Sequence, residues 1–69
     1  MKISYKKLWK LLIDKGMKKI DLLEKANIST STLAKLGKDE YVSMDALVKV
    51  CTALNVNIGD IVELIEEDT

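Results

Sequence analysis

Residues 19–36 read KIDLLEKANISTSTLAKL, and this stretch decides the fold. Ile20, Leu22, Leu23 and Ala26 recur at helical spacing, Asn27-Ile28-Ser29 interrupts the pattern, and Leu33 and Leu36 resume it. The spacing predicts one helix from about Lys18 to Ala26, a short turn, and a second helix from about Thr30 to Gly37. Asn27 suits the turn, because asparagine enters the left-handed region more readily than most non-glycine residues. Ser29 is a good N-cap, its hydroxyl able to accept one of the free N–H groups of the first helical turn. Lys18 cannot do the same for the earlier helix, where Asp21 in the first turn partly compensates through the helix dipole. Leu22, Ile28, Leu33 and Leu36 fall where two helices crossing at a steep angle need core residues, which is a helix-turn-helix arrangement at about residues 18–37.

The flanking sequence extends the helical reading. Upstream, Tyr5, Leu8, Trp9, Leu12 and Ile13 mark a helix from about Ser4 to Lys15; Gly16 ends it and Met17 turns back to the core. Downstream, Lys38 to Val42 reads as a loop. Ser43 caps a helix from about Met44 to Asn55, with Leu47, Val48, Cys51 and Leu54 on one stripe, and Asn57 caps a fifth from about Ile58 to Leu64. Lys2-Ile3-Ser4 and Glu63-Leu64-Ile65 are both β-permissive and are candidates for a minor strand pairing. The expected fold is all-α, a compact five-helix domain spanning residues 1–69 with a small pairing of its two ends.

Composition agrees. A chain of 69 residues supports one small core, and the 48% apolar content, without Phe or Pro, supplies it mainly as Leu, Ile and Val. Cys51 is the only cysteine and His is absent, so neither an internal disulfide nor a zinc site of the usual spacing is expected, and no metal or cofactor is. No apolar run approaches the length of a membrane span, and a soluble, cytoplasmic protein is expected. The net charge is zero but sharply divided. Residues 1–38 hold ten lysines against Asp14, Asp21 and Glu24, whereas residues 39–69 hold only Lys49 against eight acids. That split suggests one basic and one acidic face; the plainer reading is a solvated surface. The basic half contains the helix-turn-helix, whose physics suits DNA. A slim helix fits the major groove, small hydroxyls at its start let the backbone approach closely, and its N-terminus attracts phosphate.

Two stretches, KLLIDKGMKKIDLLEKANISTSTLAKL at 10–36 and SMDALVKVCTALNVNIGDIV at 43–62, give the chain its resemblance to the Cro and lambda-repressor-like helix-turn-helix regulators, the XRE-type family. Together they cover about Tyr5 to Val62 in the family's order, a more specific signal than an isolated helix-turn-helix pattern. The resemblance implies sequence-specific double-stranded DNA binding by a transcriptional regulator, with repression the expected outcome. It assigns base contacts to Lys19, Thr30, Ser31, Ala34 and Lys35, and phosphate contacts to Lys18, Ser29, Lys38 and Tyr41. Lysine can donate to guanine, Thr and Ser can serve several bases, and Ala can touch a thymine methyl. Four positions depart from the family. Asn27 replaces the usual turn glycine, Leu23 replaces a small residue, and Leu12 and Gly37 stand where an Arg–Glu pair is common, leaving an apolar contact as the expected substitute.

Trp9 lies among aliphatic neighbours and reads as core or half-buried surface rather than as a base-stacking residue. Cys51 sits on an apolar stripe and reads as an inert buried thiol rather than a redox sensor. The hydroxyls of Ser29 to Thr32 alone would be only a cap and a turn; joined to Lys19, Lys35 and Lys38 they favour DNA contact. Glu66-Glu67-Asp68 reads as a solvated end. A protein-interaction module on the same fold is the main rival, supported by the zero net charge. An enzyme lacks support, since there is neither a histidine nor a glycine-rich phosphate loop, and an RNA binder lacks an aromatic stacking platform. One short recognition helix reads too few base pairs to mark a genomic site, so a homodimer is expected, joined through Val62, Leu64 and Ile65.

Overall fold

Strands near the two ends of the chain lie side by side, with the helices folded between them. The computed structural model describes residues 1–67. In chain order the elements are β1 (Lys2–Ser4), α1 (Lys6–Asp14), α2 (Lys19–Ala26), α3 (Thr30–Gly37), α4 (Met44–Leu54), a 3-10 turn (Ile58–Asp60) and β2 (Glu63–Ile65). β1 and β2 pair antiparallel in the register Lys2↔Ile65, Ile3↔Leu64 and Ser4↔Glu63.

Local chemistry sets most boundaries. After α1, Gly16 adopts φ +69°, and the Met17 N–H donates back to the Leu12 carbonyl at 2.8 Å, turning the chain toward α2. Lysine has no acceptor with which to cap α2. Instead the Asp21 carboxylate reaches back to accept the extended Lys18 N–H at 2.8 Å, one half of a capping box. Asn27 closes α2 in the left-handed region at φ 56°, ψ 47°. Ser29 then opens α3, its Oγ accepting the Thr32 N–H at 3.1 Å. Ser43 does the same for α4, accepting from Ala46 at 3.1 Å, and Asn55 ends that helix at φ 56°.

The expected fifth helix is a single 3-10 turn instead. The Asp60 carboxylate accepts the Asn57 N–H at 2.9 Å, the Val62 N–H makes the last turn bond to the Ile58 carbonyl, and the chain then extends. A helix running to Leu64 would take Glu63, Leu64 and Ile65 away from β1, and the short segment carries Gly59, a poor helix former, in its first turn. The strand pairing prevails.

Tyr5, Leu8 and Leu12 meet Leu22 and Ala26 of α2, Leu36 of α3, Leu47, Val50, Cys51 and Leu54 of α4, and Ile61 in one core. α4 is the central element, packed against α2 and the 3-10 turn. Three residues expected inside are mostly exposed: Ile13 at 75%, Ile20 at 62% and Val48 at 51%. Each helix buries a stripe narrower than its apolar content, and in α4 the inner side is taken by Ala46 and Val50 rather than Val48. Cys51 is buried, and its environment raises the thiol pKa, first by desolvation and then through the negative charge of Asp60. That suits an inert thiol, since the thiolate is the reactive form.

Candidate nucleic-acid interface

α3 divides cleanly into two sides. Leu36 is fully buried, and Leu33 and Thr32 are half-buried. Thr30, Ser31, Ala34 and Lys35 face outward and are exposed. This division is the helical repeat at work: residues 30, 31, 34 and 35 share one side, and 32, 33 and 36 turn toward the core. The α2–α3 turn fixes the angle at which that outer side is presented. Asn27 supplies the left-handed step, Ile28 is half-buried against the core, and the Ser29 hydroxyl lies 3.0 Å from both the Ser31 and Thr32 hydroxyls. The first turn of α3 therefore carries a small, hydroxyl-rich surface with no bulky side chain in front of its backbone.

All nine residues assigned to DNA contact, Lys18, Lys19, Ser29, Thr30, Ser31, Ala34, Lys35, Lys38 and Tyr41, are exposed. Tyr41 is the most prominent apolar body among them, at 76% exposure. Lys35 and Tyr41 line one open cleft of about 480 Å³ with Lys2, Ile3, Asp39 and Glu40. Lys2 was not anticipated at this place. β1, paired with β2, carries it there.

The loop after α3 is held by contacts that local sequence does not disclose. Tyr5 is fully buried; its hydroxyl donates to the Glu40 carbonyl at 2.8 Å, and its backbone N–H donates to the Asp39 carboxylate at 3.0 Å. Asp39 stands at φ 55°, a conformation that aspartate tolerates better than most residues. Burial raises the Tyr5 pKa and the negative charge of Asp39 raises it further, which keeps the phenol a neutral donor. The loop bearing Lys38 and Tyr41 is thus tied to the start of α1 across a sequence separation of about 35 residues.

The remaining expectations divide. Trp9 is half-buried, as its aliphatic neighbours suggested, but it also lies beneath a lysine: the Lys19 Nζ is 4.3 Å from the ring centroid. Leu12 is buried in the core, while Gly37 is exposed, with open space around the position its Cβ would occupy. Of the residues assigned to a shared surface, Val62 packs against the chain's own core, Ile65 is half-buried, and only Leu64 is mostly exposed, at 61%. Glu66 and Glu67 are exposed, and Asp68 lies outside the described residues. Among the described residues no helix is long and apolar enough to cross a membrane, and no group of three or more His, Cys, Asp or Glu is placed to hold a metal ion.

Comparison with known proteins gives two matches. The family model of the Cro/C1-type HTH DNA-binding domain matches residues 7–67. The crystal structure of the transcriptional regulator VanUg, form II, is similar at 53% sequence identity and a TM-score of 0.91, covering 96% of this chain and 88% of that one. No curated protein matches.

Proposed function

This chain belongs to the Cro/C1-type helix-turn-helix DNA-binding domain family, and from that premise we propose that it is a transcriptional regulator that reads double-stranded DNA with α3 in the major groove. The observation that carries the proposal is the two-sided character of α3: an anchored inner side, and an outer side whose side chains are those of Thr30, Ser31, Ala34 and Lys35. Similarity to a solved transcriptional regulator supports the same reading.

In this proposal residues 1–69 act in the cytoplasm as one non-enzymatic DNA-binding domain. Lys19, Thr30, Ser31, Ala34 and Lys35 meet base edges. Lys18, Ser29, Lys38 and Tyr41 meet phosphates, which fix register without reading sequence. A small domain occupying promoter DNA competes with polymerase for the same duplex, so repression is the expected outcome. The acids of the C-terminal half bring the net charge to zero, and two of them, Asp39 and Glu40, line the cleft beside Lys35.

Salt titration of duplex binding tests the proposal. A few lysine–phosphate contacts imply a log–log slope of roughly −3 to −5 per monomer, a loss on the order of 10²–10³ in affinity between about 50 and 200 mM salt. Affinity that stays flat across that range, or no duplex binding at low salt, would leave a protein-interaction module as the better reading.

A pair of variants separates the two kinds of contact. Lys35→Ala is expected to relax preference at one position of the site by about 1–3 kcal/mol, and Lys38→Ala to weaken all sequences alike and reduce the salt slope by about one. Binding selections on randomised duplexes read both effects. Unchanged preference with Lys35→Ala would show that α3 does not read bases through this residue.

A further inference from the structure

Lys19 is the first residue of α2 and is exposed, yet its ammonium is not loose in solvent. It sits 4.3 Å from the centroid of the Trp9 ring, well inside the range of a cation–π contact. Trp9 lies in the middle of α1, half-buried against the core, and the core contact holds the ring in place. The ring in turn restrains a side chain that otherwise has four rotatable bonds and several rotamers to lose on binding. A cation over a ring face keeps the N–H bonds that point away from the ring free for an acceptor. We infer that Trp9 is a positioning residue for DNA binding, its ring holding the Lys19 ammonium ready at the entrance of the helix-turn-helix.

This inference rests on the reading that Lys19 meets DNA. It adds that the contact depends on a residue of a different helix, ten positions earlier, that need not touch the duplex itself. No other aromatic residue is paired with a cation among the described residues.

A double-mutant cycle on duplex affinity tests it, with wild type, Trp9→Leu, Lys19→Met and the double variant measured by anisotropy of a labelled duplex. Removing the ring is expected to weaken binding about two- to fivefold with Lys19 present, the fold-change equivalent of an exposed cation–π contact, and to change nothing further with Met at that position. Trp9→Phe retains a ring with a weaker face and is expected to fall between wild type and Trp9→Leu. If thermal melting shows Trp9→Leu unfolded, Trp9→Phe carries the cycle, and its smaller loss must likewise vanish with Lys19→Met. Trp9 is the chain's only tryptophan, so its emission reports directly on the pair, and Lys19→Met is expected to shift it in the free protein. Equal losses with and without Lys19, no loss on removing the ring, or an emission unmoved by Lys19→Met would each overturn the positioning role while leaving DNA binding in place. Absence of duplex binding by the wild-type chain would overturn both.

Discussion

Leu36→Ala is expected to leave most of the domain unfolded at physiological temperature. Leu36 is the one fully buried residue of α3, and it belongs to a single core with buried residues of α1, α2 and α4. Truncating a buried leucine costs about 2–5 kcal/mol in lost transfer energy and residual cavity. A domain of this length has a total stability of about 3–10 kcal/mol on a per-residue scale, so the loss is a large part of the whole. Leu33, which sequence spacing ranks as its equal, is only half-buried, and Leu33→Ala is expected to melt closer to wild type. Thermal melting followed by circular dichroism distinguishes them. A Leu36→Ala melting temperature within a few degrees of wild type would mean that α3 is held by its turn and caps rather than by the core.

The contrast between Leu33 and Leu36 shows where sequence was informative. Caps and turns were legible, because Ser29, Ser43, Gly16 and Asn27 act on backbone groups within a few residues of themselves. The helix-turn-helix was legible for the same reason, with four apolar positions at its expected spacing, two of which the fold buries completely. Burial of the other apolar residues was not. Ile13, Ile20 and Val48 sit at helical spacing as good as that of their neighbours, and only the packing of the helices on one another decides which side of a wide stripe is covered. The end of the chain held two incompatible local preferences, helix from Ile58 to Leu64 and strand at Glu63–Ile65, and the choice depended on a partner at the opposite end. At the proposed interface, the outward residues of α3 followed from periodicity. The ring beneath Lys19, the Tyr5 bonds to the loop and the arrival of Lys2 beside Lys35 did not, since each joins elements distant in sequence.

Two copies are expected on each DNA site, related by a two-fold axis on an inverted repeat with half-sites about 34 Å apart. The requirement comes from information: the outer side of α3 offers four side chains, enough for only a few base pairs. Leu64 is the best candidate for the shared surface. It stands mostly exposed on β2, a strand with β1 on one edge and no described strand on the other, so both an apolar side chain and a free strand edge are available to a second copy. Glu63, Glu66 and Glu67 surround it and are exposed, so two such surfaces repel each other in free solution. On DNA the lysines of the other half are expected to hold both copies to phosphate and offset that repulsion. Sedimentation is therefore expected to find monomer alone and two copies per duplex. Leu64→Glu is expected to lose the linkage between half-sites, lowering affinity for the full inverted repeat by on the order of 10²–10⁴ while leaving half-site binding near wild type. Saturation at one copy, on a sequence without inverted symmetry, would rule the dimer out. Salt supplies an independent check, because it acts with opposite sign on the two contacts. Screening relieves the acid–acid repulsion and strengthens self-association, while it weakens lysine–phosphate binding, so protein pairing and DNA affinity must move in opposite directions as salt rises.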